Sequence, residues 1–168
     1  MERKSGEATK VIKFMASLGL LLLATACHTA GSRNVTPTIA RFFLEAADGR
    51  GVLMTLPRSG VQVAVGAKPV FTEFDIVDVD VVDVELGKCL EFKFTTAAGR
   101  DLYRLTGVSQ GRRLVLSLDG KPIGARRIDR PFNDATLLIF VETPDEALPT
   151  MAENLRRTAL ALQQAAAK

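Results

Sequence analysis

The sequence predicts an α+β fold, a mostly antiparallel β-sheet with two helices packed on one face. Three observations carry this. Short runs from Ile39 onward alternate apolar and polar residues, a period of two that gives each strand one buried and one wet face. Two stretches depart from that period: Ala97–Gln110, where Leu102, Leu105 and Val108 recur at helical spacing, and the segment ending near Ala166. Turn signals join neighbouring runs as hairpins. The strongest is Asp119-Gly120, because both central residues of a tight hairpin turn must accept φ > 0.

Taken in order, Ile39–Ala46 is a first strand and Asp48-Gly49-Arg50-Gly51 a turn. Val52–Leu56 is a short strand ended by Pro57 and Ser59-Gly60, and Val61, Val63 and Val65 mark another. Pro69–Asp75 leads into a long β run, Ile76–Leu86. There Val77, Val79 and Val81 hold one phase and Val82, Val84 and Leu86 the other. Such a flip calls for an extra residue, so a β-bulge is expected at Val81-Val82. Gly87-Lys88 is expected to turn the chain into the strand carrying Leu90, Phe92 and Phe94. The helix Ala97–Gln110 and the hairpin Arg113–Ile128 complete the unit around which the chain is organised, with Phe92, Phe94, Leu116 and Leu118 in one core. Pro131–Asp134 is a turn, and the apolar run Thr136–Val141 reads as a central strand. Thr143-Pro144-Asp145-Glu146 has the form of a capping box, and Pro149 is expected to kink or restart the final helix.

Residues 1–26 have the pattern of a lipoprotein signal peptide. A basic segment, Met1–Lys13, precedes an apolar run, Phe14–Leu23, and Ala24-Thr25-Ala26 then leads to Cys27. The apolar run is shorter than the roughly 20 residues a membrane-spanning helix needs. It reads as a secretory core, and Cys27 as the lipidation site, its thiol carrying diacylglycerol. An ordinary secretory signal cleaved after Ala26 is the alternative. Residues 27–37 form a lipid-anchored, flexible tether rich in Thr, Ser, Gly, Asn and Pro, and residues 38–168 the folded domain. His28 after the cysteine, rather than Asp, favours outer over inner membrane for a protein facing the periplasm.

The formal net charge is +3. Four of the 22 basic and two of the 19 acidic residues precede Cys27, which leaves 18 against 17 after it, a net of +1. The basic balance therefore belongs mostly to the signal and is no mark of nucleic-acid binding. With Cys27 lipidated, Cys89 has no disulfide partner. It reads as a small buried side chain, with a reactive thiol the lesser alternative.

No catalytic constellation is legible. The one histidine, His28, sits on the tether, where it could not be held rigidly against a nucleophile. No zinc, phosphate-loop or dinucleotide motif is present, so neither a metal nor a cofactor is expected. Asp78, Asp80, Asp83 and Glu85 are read as a solvated face that blunts strand association, with a weak calcium site or acid–base work as alternatives. Three basic groups stand out: Arg112-Arg113, Arg126-Arg127 with Arg130, and Arg156-Arg157. The chain has no Trp and one Tyr, too few aromatics for nucleic-acid stacking. A solvated or carboxylate-paired patch, anionic headgroups or another acidic partner remain for these arginines.

Residues Cys89–Ala147 resemble the head subdomain of the first periplasmic domain of SecD and SecDF, accessory subunits of the bacterial Sec translocase. The alternating strand Leu90, Phe92, Phe94 is followed by Leu105-Thr106 and a spaced Gly111. Then come Leu114-Val115-Leu116-Ser117-Leu118-Asp119-Gly120-Lys121-Pro122-Ile123 and, later, Asp145-Glu146-Ala147. Pro69-Val70-Phe71-Thr72 and Asp75-Ile76 fit the approach to this region. Ala125-Arg126 stands where the family has Ala-Pro, and Asn133-Asp134-Ala135 where it has a Gly-rich loop. The resemblance implies a head-like α+β domain in a periplasmic setting, with unfolded polypeptide or a Sec translocase component as partner. The expected function is therefore a non-enzymatic, lipid-anchored envelope protein that binds polypeptide or a protein partner. A structural envelope lipoprotein with no role in export is the alternative.

Overall fold

The computed structural model describes residues 37–166. The signal segment, Cys27, His28 and most of the tether lie outside them. Eight strands and two α-helices follow in order: β1 (Ala40–Leu44), β2 (Val52–Thr55), β3 (Gln62–Val65), β4 (Ile76–Val84), β5 (Gly87–Phe94), α1 (Thr96–Val108), β6 (Arg113–Leu118), β7 (Lys121–Arg127), β8 (Thr136–Ile139) and α2 (Leu148–Ala166). Two three-stranded antiparallel sheets, ordered β1-β6-β7 and β4-β5-β8, carry the fold. They meet at one bridge, Gly124 to Val141, where the Glu142 N–H donates to the Ile123 carbonyl at 2.7 Å. Gly124 suits that close approach, since a Cβ there would lie 2.3 Å from the Phe140 carbonyl oxygen.

One core serves both sheets and both helices. Phe42, Leu114, Leu116 and Leu118 enter it from one sheet, and Val79, Leu90, Phe92, Phe94, Leu137 and Ile139 from the other. Ala98 and Leu102 of α1 and Leu148, Ala152, Leu155 and Ala159 of α2 close it. The period-two reading of β5 holds: Leu90, Phe92 and Phe94 are buried while Glu91 and Lys93 are half-exposed. The Asp119-Gly120 turn is the expected hairpin, with φ of 49° and 81°. Its Asp119 carboxylate also accepts from the Ile39 N–H at 2.8 Å, tying the turn to the start of β1. On the outer face the β2–β3 hairpin covers β6, where Val63, Val65 and Val115 form a second, small cluster. That cover is why β6 is buried on both faces although its sequence alternates.

Five sequence expectations are corrected. The bulge lies at Val77, between Ile76 and Asp78, and pairing is unbroken from Val79 to Val84, so Val81-Val82 carries none. The extra residue re-aims the strand early, so Val79 faces the core, and Val82 and Val84 lie half-buried on the other face. The β4–β5 turn is Glu85-Leu86, and Gly87, with φ of 110°, already opens β5. Val108 is 86% exposed; the buried stripe of α1 is Ala98, Gly99, Leu102 and Thr106. Thr143 caps nothing: a 3₁₀ turn spans Asp145–Ala147 after Pro144 (φ −57°, ψ 141°), and the α-helix begins at Leu148 with Pro149 in its first turn. The final helix thus restarts at the proline, where a missing N–H costs nothing. Finally, β8 flanks its own sheet and is not central in it; only the Gly124–Val141 bridge beyond its end gives it a second neighbour.

Candidate functional site

The acidic strand is an ion-pair network that docks α2. Arg156 of α2 donates through Nε to Asp78 Oδ1 at 2.9 Å and through its second terminal nitrogen to Asp80 and, at 2.7 Å, to the Val79 carbonyl. Lys93 of β5 holds the same two carboxylates, at 3.2 Å from Asp78 and 2.9 Å from Asp80. Burial pushes the Asp78 carboxyl up, but the hydrogen bonds from Arg156, Lys93 and the Val79 N–H outweigh it and hold it below its ordinary 3.8. Gln163 donates to the Ile76 carbonyl at 3.3 Å. The outward backbone of β4 is thereby occupied by α2. Asp78 and Asp80, about a third exposed, are engaged by Arg156 and Lys93 and do not form a free solvated face; Asp83 and Glu85 are exposed. Among the described residues no group of three His, Cys, Asp or Glu is placed to hold a metal.

This network has a pH signature. Because the folded-state pKa of Asp78 is depressed, its contribution is complete above 3.8 and is lost as pH falls through the folded value. Asp78→Asn is expected to cost about 1 kcal/mol at neutral pH, a modest figure because the pairs are about a third exposed. It should also flatten the decline of the urea midpoint below pH 3.8. An acid limb unchanged by the substitution would show that Asp78 does not hold α2.

The basic pairs divide. Arg112 donates to the Glu45 carbonyl at 2.7 Å, and Arg113 grips the Glu45 carboxylate at 2.6 and 3.0 Å. The Arg113 hydrogen bond, acting against burial, holds Glu45 below the usual carboxylate range. Arg157 pairs with Glu153 at 2.7 Å. These arginines are spent on the protein's own carboxylates and carbonyls. Cys89 is fully buried and unpaired, and burial pushes its thiol up, away from reactivity.

A gap remains between β7 and β8. Each ends its own sheet. Beyond the Gly124–Val141 bridge, Ala125–Arg127 and Thr136–Leu138 share no backbone hydrogen bond. A cleft of about 280 Å³ opens there, lined by Arg126 on one side, Thr136 and Leu138 on the other, and Glu91, Arg130 and Phe132 around them. The Arg126 guanidinium lies 5.8 Å from the centre of the Phe132 ring and reaches Asp129 only at 3.4 Å. The loop beneath is pinned. The Phe132 N–H donates to Thr106 Oγ1 at 3.0 Å, and that buried hydroxyl donates to the Leu102 carbonyl at 2.7 Å. The Ala135 carbonyl accepts from the Phe94 N–H at 2.9 Å, and Gly99 of α1 leaves room for Ala135.

The sequence-predicted residues are therefore not gathered into one site. Asp78, Asp80 and Arg156 meet in the α2 network, Arg126 and Arg130 at the cleft, and Arg112 and Arg113 at Glu45. Cys27 lies outside the described residues. Sequence reasoning missed Phe132 and Thr106. The turn residues Pro131–Asp134 marked a loop, but nothing in their pattern marked what the loop encloses.

No protein-family model matches the chain, and no curated protein matches it. Solved structures do. SecDF in a super-membrane-facing form aligns with TM-score 0.57 and 20% identity, over 71% of this chain and 18% of that one. A structure described as a membrane component SecDF that enhances protein export aligns with TM-score 0.55 and 16% identity, over 93% of this chain and 71% of that one. SecDF from Thermus thermophilus, described as a translocon-associated membrane protein, aligns with TM-score 0.51 and 20% identity, over 74% of this chain and 20% of that one. The chain thus spans about a fifth of the length of the first and third of these proteins. At these identities the likeness is one of fold, and the described residues have the α+β architecture of a SecD/SecDF periplasmic head-like domain.

Proposed function

We propose that this chain is a non-enzymatic, lipid-anchored envelope protein whose head-like domain, residues 38–168, binds extended polypeptide in the setting of Sec-dependent export. The observation that carries the reading is the pair of strand edges facing each other across the β7–β8 cleft. Unpaired edge backbone can take an extended chain as an added strand with little sequence preference. The outer edges of β4 and β1 are less open. Arg156 and Gln163 occupy β4, and the Val70-Phe71 segment bonds to Phe42 of β1. No helix among the described residues is long and apolar enough to cross a membrane. The fold likeness to SecDF supports a setting at the periplasmic face of an envelope membrane.

In this reading Cys27 carries the lipid, and the tether holds the domain near the membrane at raised local concentration. Binding is passive: a held chain is hindered from sliding back, and no work is done on it. Cys27→Ser is expected to leave the precursor uncleaved or release a soluble form, and to empty the membrane fraction of the protein. Membrane association unchanged by that substitution would refute the anchor. The polypeptide claim is tested separately, by fluorescence anisotropy of a labelled, permanently unfolded protein titrated with the purified full chain. Saturable binding is expected. Its absence would leave a structural envelope lipoprotein.

A further inference from the structure

We infer that the polypeptide bound here is acidic, and that its docking surface runs from the β7–β8 cleft across Asn133 onto the outer face of α1. The inference rests on the polypeptide-binding reading and deepens it. A second recess, of about 590 Å³, lies beside α1 and is lined by Arg100, Tyr103 and Arg104 together with Phe94 and Ala135. Asn133 lines both recesses, so one exposed side chain separates them.

Charge identifies the occupant. Arg126 and Arg130 border the first recess and Arg100 and Arg104 the second. Three guanidinium groups elsewhere are held close, Arg113 to Glu45 at 2.6 Å, Arg157 to Glu153 at 2.7 Å and Arg156 to Asp78 at 2.9 Å, while Arg41 meets Glu73 at 3.4 Å. On this surface Arg104 meets Asp101 only at 3.8 Å and Arg126 meets Asp129 only at 3.4 Å. Arg100 and Arg130 have no ion-pair partner among the described residues. Two carboxylates also line the cleft, Glu91 and Asp134. Among the residues lining the two recesses, four arginines thus stand against two carboxylates. Such a surface steers and orients a negatively charged chain.

The form of the surface selects polypeptide over a lipid headgroup. Arg126 and Arg130 line a cleft between strand edges whose backbone can bond to an extended chain, which a headgroup cannot use. Tyr103, 52% exposed, and the Phe132 ring under Arg126 supply apolar contacts for side chains between the acidic ones.

The test uses the purified full chain and two labelled extended peptides of equal length and equal apolar content, one carrying Glu and the other Lys at alternate positions. The Glu peptide is expected to bind about tenfold more tightly than the Lys peptide, with a preference that shrinks as salt is raised. Arg100→Glu with Arg130→Glu, both exposed and unpaired, should reverse the preference while leaving the unfolding midpoint in place. Arg100→Glu alone should weaken the Glu peptide, since that residue belongs to the second recess. Equal affinity for the two peptides would overturn the acidic preference and leave the polypeptide reading standing. Indifference to Arg100→Glu would overturn the extension onto α1. Binding of neither peptide would overturn both readings, and capture of phosphatidylglycerol vesicles in that case would assign the arginines to headgroups.

Discussion

Phe42→Ala is expected to lower the unfolding free energy by about 3–5 kcal/mol, the usual range for truncating a buried Phe. Phe42 is the residue through which the two sheets grip each other. It is fully buried on β1, and its ring meets Phe92 at 5.0 Å, edge to face at 89°, and Phe94 at 5.6 Å. Phe71 extends the group through Phe94 at 5.2 Å. Truncation removes the apolar contacts, leaves a cavity at a junction that cannot collapse without moving a strand, and deletes two aromatic pairs. Phe94→Ala belongs in the same range, at its lower end, because Phe94 retains 5% exposure. Urea denaturation of both variants measures this. A midpoint unmoved by Phe42→Ala would mean that the sheets are not joined through these rings.

Gly124→Val is expected to cost about 3 kcal/mol, through overpacking that neither strand can relieve alone. A Cβ would stand 2.3 Å from the Phe140 carbonyl oxygen and 3.1 Å from Val141 Cα, both backbone atoms. The one bridge between the sheets would open, and the Glu142 N–H would lose its bond to Ile123. Amide exchange should therefore accelerate at Glu142 and much less at Val115, in the middle of β6. Unchanged protection at Glu142 would contradict the bridge.

The strands, the Asp119-Gly120 hairpin and the strand contributors to the core, Phe92, Phe94, Leu116 and Leu118, were legible because alternation and turn chemistry are local. Where two physical causes produce one pattern, the sequence could not choose between them. The phase flip in Ile76–Val84 fits a bulge at either end or a strand covered on both faces, and only the pairing with β5 places the extra residue at Val77. Thr143 has the spacing of a cap, yet the extended Pro144 delays the α-helix to Leu148. The site was less legible still. Asp78 and Arg156 are 78 residues apart, so a strand of spaced carboxylates reads as solvated until α2 is laid on it. The cleft depends on β7 and β8 ending separate sheets, a property of topology that neither strand carries in its own residues.

Site-specific photocrosslinking in cells exporting a stalled substrate tests polypeptide binding at the cleft most directly. The crosslinker is placed at Arg126 or Leu138, on the two walls of the cleft, and for comparison at Leu86, 84% exposed on the β4–β5 turn, and at Arg157 on α2. Substrate adducts are expected from Arg126 and Leu138 and not from Leu86 or Arg157, and they should persist when the proton gradient is collapsed with substrate held constant. Adducts from Leu86 or Arg157 alone, or from no position, would contradict binding between β7 and β8.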